Sequence, residues 1–191
     1  MQKVTHITNS AKATQKLGES LAKKIKAGTI IAFESDLGGG KTTLMQGLAK
    51  GLGIKTRVVS PTFVLERIYP IPHKKYSLYH YDVYRLADDP YLVGEILENA
   101  ENNIVAIEWA EKIKDYLPDQ TIWIKITEIK DNHRKITITR PLTGEGNYNS
   151  SSPFEGEARW GLYRLFYTLL PSPLLREEGN YNSSSILLRG G

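Results

Sequence analysis

The sequence predicts an α/β protein, a three-layer domain around a central mixed sheet, followed by an atypical carboxyl-terminal tail. Three observations carry that expectation. The apolar run Thr29-Ile30-Ile31-Ala32-Phe33 leads into the glycine-rich turn Asp36-Leu37-Gly38-Gly39-Gly40-Lys41-Thr42-Thr43, and a helix-periodic stretch follows at once. Strand-like and helix-like runs then alternate up to Arg140, the pattern of a sheet packed under helices. After Arg140 the composition breaks: the last 51 residues hold no lysine and no aspartate, whereas residues 1–140 hold 16 lysines.

Each element has its own signal. Ser10 followed by Ala13, Leu17, Leu21 and Ile25 predicts a helix over 11–26, with Lys23, Lys24 and Lys26 in its last turn and Gly28 closing it. A strand over 29–34 enters the glycine-rich turn, which places Lys41 at the edge of a sheet. Leu44, Leu48 and Leu52 recur every fourth residue, so a helix follows with a buried stripe and stops at Gly53. Ser60-Pro61-Thr62-Phe63-Val64-Leu65-Glu66 reads as a turn into a strand, since Pro61 holds Ser60 extended. Tyr76 to Asp82 alternates as a strand ending on a carboxylate, and Asp89-Pro90 opens a helix through Leu92, Ile96 and Leu97. Ile104-Val105-Ala106-Ile107 has the continuous apolar character of a strand covered on both faces, and it delivers Glu108 and Trp109 to its carboxyl end. A short helix over Ala110 to Tyr116 precedes Pro118. Residues 121–126 and 135–140 alternate as antiparallel strands around a turn at Asp131-Asn132-His133.

The chemistry is read from the turn after the first core strand. A strand, a glycine-rich loop and a helix start aim several backbone N–H groups at one point, a nest for phosphate oxygens. Gly38, Gly39 and Gly40 let backbone approach a ligand closely, Lys41 reaches toward β and γ phosphates, and the Thr42 hydroxyl suits a magnesium ion. This makes the domain P-loop NTPase-like. The first glycine of the usual pattern is replaced by Ser35, which would be strained if that position required positive φ. Magnesium needs a further oxygen ligand, and Glu108 leads because it ends the most apolar strand. Asp82 is a second carboxylate, with a site role or a capping or ion-pair role beside Arg85. His80 reads as a base or, more economically, as a hydrogen-bonded strand histidine. Thr62 reads as a phosphate-sensing residue or as an ordinary strand start, and Trp109 as core or as a partner surface.

Composition narrows the class. The chain has 191 residues, room for one domain and a tail, and no cysteine, which excludes disulfides, thiolate catalysis and cysteine-bound zinc. No signal-like segment follows Met1, and no run approaches the roughly 18–20 apolar residues that span a bilayer, so a cytoplasmic protein with no membrane contact is expected. A net charge of +4 permits nucleic-acid contact, but there is no arginine-rich block.

Four motifs in order resemble one family: Asp36 to Thr43, Ser60-Pro61-Thr62-Phe63, Tyr79-His80-Tyr81-Asp82-Val83-Tyr84-Arg85-Leu86 and Ile107-Glu108-Trp109. Together they are similar to the bacterial TsaE proteins, small ATPases required for making threonylcarbamoyladenosine in tRNA. The resemblance covers about residues 3–140. It implies that Asp36 to Thr43 bind ATP, that Lys41 contacts its phosphates, that Thr42 and Glu108 position Mg2+, that Asp82 belongs to the active centre and that Thr62 lies in a switch-like segment. It further implies association with TsaB and TsaD, of which TsaD transfers the threonylcarbamoyl group to adenosine 37 of tRNAs reading codons that begin with A. Contact with tRNA would then be indirect or direct. Family members usually carry glycine where this chain has Ser35.

Two rival readings use the same loop: a small-molecule kinase, and a nucleotide-dependent binding module with little hydrolysis. A kinase needs a basic acceptor pocket, yet residues 1–140 offer only Arg57, Arg67, Arg85, Arg134 and Arg140. The domain is expected to end at 140. Residues 141–191 are expected to be a low-complexity tail, largely disordered, in which Glu-Gly-Asn-Tyr-Asn-Ser-Ser-Ser occurs at 145–152 and again at 178–185.

Overall fold

The structure, a computed structural model, describes residues 1–85 and 89–141. The tail therefore lies outside the described residues apart from Pro141. The elements run β1 (Gln2–Thr8), α1 (Ala11–Ala22), β2 (Ile30–Glu34), α2 (Lys41–Gly51), β3 (Glu66–Pro70), β4 (Ser77–Asp82), α3 (Pro90–Asn102), β5 (Ile104–Glu108), a 3₁₀ helix (Ala110–Tyr116), β6 (Ile122–Lys130) and β7 (His133–Arg140).

Seven strands form one sheet in the order β1-β7-β6-β2-β5-β4-β3. The inner four, β6, β2, β5 and β4, are parallel, while β7 with β1 on one flank and β3 on the other are antiparallel. This is the mixed sheet with flanking helices that the alternation predicts. Strand β2 is central, so Lys41 stands at the sheet's carboxyl edge and not on an outer strand. Its neighbours β5 and β6 both come later in the chain, so the strand order switches direction around β2, and in open α/β sheets ligands bind outside the carboxyl ends at such a point.

Period-two alternation gives each central strand two buried faces. Ile31, Phe33, Leu78, Ile104 and Ala106 pack in one cluster with Leu21 of α1 and Leu44, Met45 and Leu48 of α2. The intervening Ile30, Ala32, Val105 and Ile107 are equally buried, on the face of α3 and the 3₁₀ helix, with Val93, Ile96 and Ile113. Every residue of β5 is buried, as its unbroken apolar run requires.

Helices α1 and α2 meet through glycine. A β-carbon on Gly18 would lie 2.3 Å from the Leu44 carbonyl oxygen, and one on Gly47 would lie 2.0 Å from that of Gln15. One local expectation is corrected. Ser10 caps α1 through a bond from Ala13 N–H, but the helix ends at Ala22, so Lys23, Lys24 and Lys26 lie beyond its last turn. The Lys24 N–H donates to Leu21 O at 2.9 Å, a tightened turn that carries the chain toward Gly28 and β2. The segment after β5 is a 3₁₀ helix, entered through Trp109 at φ 62°. Strand β1, unexpected from its mostly exposed residues, is held by full antiparallel pairing with β7.

Candidate functional site

The glycine-rich loop connects the end of β2 to the start of α2. Gly38 and Gly40 have φ of 75° and 109°, the left-handed region that a β-carbon disfavours, and Gly40 precedes the first turn of α2 with no side-chain cap. The amino end of α2 is thus open toward the carboxyl edge of the sheet. Ser35 is not among the residues at positive φ, so the strain that its replacement of glycine could have caused is absent.

Lys41 is almost fully buried and folds along the loop. Its Nζ donates to the carbonyls of Ser35 (3.0 Å) and Asp36 (3.1 Å) and lies 4.1 Å from the centroid of the Trp109 ring. Burial pushes its pKa below 10.5, opposed by the carboxylates of Glu108, Glu111, Asp82 and Asp36. The field around Nζ is therefore acidic, in a place largely removed from water.

Two carboxylates stand side by side beyond the loop, because the parallel register pairs Asp82 of β4 with Glu108 of β5, and Glu108 in turn with Phe33 of β2. Both are buried and both are hydrogen-bonded. His80 Nε2 donates to Glu108 Oε1 at 2.9 Å and Ser60 Oγ to Glu108 Oε2 at 3.3 Å. Thr62 Oγ1 donates to Asp82 Oδ2 at 2.7 Å, and the Tyr84 N–H to Asp82 Oδ1 at 2.9 Å. Ser60 Oγ and Thr62 Oγ1 are themselves 2.8 Å apart, so two hydroxyl protons are shared among three contacts in the row of polar groups His80, Glu108, Ser60, Thr62, Asp82. His80 is completely buried in β4 and hydrogen-bonded to Glu108. Arg85 lies 5.8 Å from the Phe63 ring centroid, an aromatic contact where an ion pair with Asp82 was one expectation.

Trp109 closes this floor. Its ring rests between Lys41 and the Tyr84 ring, whose centroid is 4.9 Å away, and Lys112 Nζ lies 4.8 Å from the far partner, Tyr84. Glu111, one turn on, has its pKa raised by burial and by Glu34, against its own backbone, Lys41 and Lys112. Of the loop residues, Asp36, Leu37 and Gly38 are exposed, Gly39 is buried, and Thr42 and Thr43 are half-buried in the first turn of α2. Thr42 shows no hydrogen bond to Glu108.

One residue escaped the sequence reading. Arg134, at the start of β7, donates from Nε to the Gly39 carbonyl at 3.1 Å and pairs through Nη1 with Glu128 at 2.8 Å. No local pattern marks it. Its contact arises only because β6 pairs with β2 and brings the β6–β7 hairpin beside the loop.

The Thr42 hydroxyl and the Asp82 and Glu108 carboxylates are the hard oxygen donors that magnesium prefers. Among the described residues no three histidine or acidic side chains cluster as an all-protein metal cage. A hydroxyl, one or two carboxylates and the phosphates of a nucleotide are the oxygen-rich surroundings that this ion takes in such sites.

The family model for the threonylcarbamoyl adenosine biosynthesis protein TsaE matches residues 8–136. The chain belongs to the TsaE family. It is 34% identical over 134 residues to the tRNA threonylcarbamoyladenosine biosynthesis protein TsaE of Treponema pallidum, covering 69% of this chain and 97% of that one. With the protein of the same description from Synechocystis it shares 43% over 113 residues, 56% of this chain and 70% of the other. The crystal structure of Bacillus subtilis YdiB superposes with a TM-score of 0.59 at 33% identity, over 73% of this chain and 86% of that one. A TsaE-family chain is an ATPase-like nucleotide-binding protein with an accessory role in threonylcarbamoyladenosine modification of tRNA. Among the described residues no helix is long and apolar enough to cross a membrane.

Proposed function

We propose that this chain hydrolyses Mg-ATP and that hydrolysis supports turnover of TsaB-like and TsaD-like partners, the chain itself transferring no threonylcarbamoyl group. The observation that carries the reading is the placement of Lys41, at the amino end of α2, with its Nζ 4.1 Å from the ring of Trp109, the residue after Glu108, whose register partner on β4 is Asp82.

The loop amides and the Lys41 ammonium stabilise the charge that builds on the phosphoryl oxygens as water attacks the γ-phosphate. Thr42 and Glu108 would hold magnesium, which would supply neutralisation of phosphate charge. Asp82, held by Thr62 and the Tyr84 amide, orders the attacking water or the ion's water shell. His80 and Ser60 fix both oxygens of Glu108, so the carboxylate is set in place before the substrate arrives. Asp36, Leu37, Gly38, Gly39, Gly40 and Thr43 complete the phosphate cradle.

The chain alone is expected to be a slow enzyme. Arg134 is engaged by the Gly39 carbonyl and Glu128, and Arg85 lies against the Phe63 ring. The partners, with tRNA touching the chain directly or through them, are expected to complete the site in the cytoplasm. Serine in place of glycine at position 35 would favour a binding module only if it strained the loop, and its backbone is not at positive φ.

Phosphate release from Mg-ATP, followed with the purified chain alone and with TsaB-like and TsaD-like proteins, tests the proposal. Release should rise on adding both partners, ignore candidate small-molecule acceptors and vanish in Lys41→Ala. Release unchanged by the partners would favour the binding module, and transfer to a small acceptor would favour the kinase.

A further inference from the structure

Gly39 differs from its neighbours in why it is glycine. Gly38 and Gly40 occupy the left-handed region, whereas Gly39 does not, so its backbone conformation accepts a side chain. What forbids one is Ser35. A β-carbon on Gly39 would lie 1.9 Å from Ser35 Oγ and 3.3 Å from Ser35 Cβ, with the Asp36 carbonyl oxygen at 3.1 Å. Rotating the serine hydroxyl away removes only the first contact, because Ser35 Cβ stays.

The serine hydroxyl also has a bond where it sits. Ser35 Oγ donates to the Asp36 carbonyl at 3.2 Å, and that same oxygen accepts the Gly39 N–H at 3.1 Å and Lys41 Nζ at 3.1 Å. The Ser35 carbonyl is the other acceptor of Lys41, and the Gly39 carbonyl is held by Arg134. A displacement at either position 35 or position 39 is therefore passed directly to the Lys41 ammonium.

We propose that Ser35 and Gly39 are a coupled pair in which the side chain at 35 fills the space a methyl group at 39 would need, and that this exchange positions Lys41 for the triphosphate. Ser35 is a positioning residue that acts through the Asp36 carbonyl. The proposal rests on the nucleotide-binding reading above and deepens it. The replacement of glycine by serine at the start of the loop is compensated within the loop, four residues on.

Titration of the full chain with a fluorescent ATP analogue and magnesium, alongside melting temperatures without nucleotide, tests the pair in wild type, Ser35→Gly, Gly39→Ala and the double variant. Gly39→Ala should lose about tenfold or more in affinity, Ser35→Gly should lose less, about threefold, as its bond to the Asp36 carbonyl goes, and the double variant should bind no more weakly than Ser35→Gly, a non-additivity expected only of residues in contact. The melting temperature of the double variant should likewise recover from that of Gly39→Ala. If Gly39→Ala does not fold, recovery of folding and binding in the double variant still carries the result. A double variant as weak as Gly39→Ala, or a Gly39→Ala chain that binds as wild type, overturns the pair and leaves the nucleotide reading standing. A wild-type chain that binds no analogue overturns both.

Discussion

Lys41 shows how one side chain joins the loop, the carboxylates and the Trp109 ring. Its ammonium is buried against two carbonyls and an indole face, and burial lowers its pKa from 10.5 despite four carboxylates nearby. In the interval between that lowered value and 10.5, the unfolded chain holds a proton here that the folded chain has released. Stability owed to this residue therefore grows as pH rises through that interval and is lost as pH falls through the folded value. The melting temperature of wild type should gain on that of Lys41→Met as pH moves from neutral toward 10.5; a gap that stays constant or narrows would count against the burial of the charge. Residues 36–43, Thr62, Asp82 and Glu108 were legible as candidates because each belongs to a short motif beside a strand end. Ser60, His80 and Arg134 were not legible as members of the network, because their partners lie 48, 28 and 95 positions away and only sheet register brings them together.

The elements that carry the site depend on a glycine interface. Helix α2 holds the loop's exit at its first residue, and its orientation is set by close contact with α1 at Gly18, Gly47 and Gly51. Gly47→Ala would push a methyl group to 2.0 Å from the Gln15 carbonyl oxygen, backbone that cannot move without shifting α1. The cost should be about 1–3 kcal/mol, the usual range for overpacking, read as a lowered urea midpoint with an unchanged slope. A variant as stable as wild type would show that the two helices are not locked. The leucine period announced α2, and the unbroken apolar run announced β5. Strand β1 gave no such signal, since most of its side chains face outward and its order comes from pairing with β7, over a hundred residues later. The early end of α1 was likewise illegible, because Ile25 keeps the helical period while packing against the core from beyond the helix.

On the scale of the whole molecule, the parallel strands β6, β2, β5 and β4 converge their carboxyl ends on the loop, and the antiparallel flanks complete the sheet without adding a further site carboxylate. The alternation of apolar runs predicted this mixed sheet, but not the strand order that sets β5 beside β2. We propose that the domain is complete at Arg140, the last residue of β7, and that the repeat-bearing segment 141–191 is an appendage. A chain ending at 140 should then melt as cooperatively as the full one and bind Mg-ATP with unchanged affinity; loss of either would assign the tail a part in the domain.

The central claim is that the amino end of α2 and the carboxylates of β4 and β5 serve one Mg-triphosphate. A crystal structure of the full chain with magnesium and a non-hydrolysable ATP analogue tests it most directly. The account predicts β and γ phosphates held by the amides of residues 38–43 and by Lys41, with the ion between Thr42 and Glu108. A triphosphate bound away from this loop, or an ion that ignores Glu108, would contradict it.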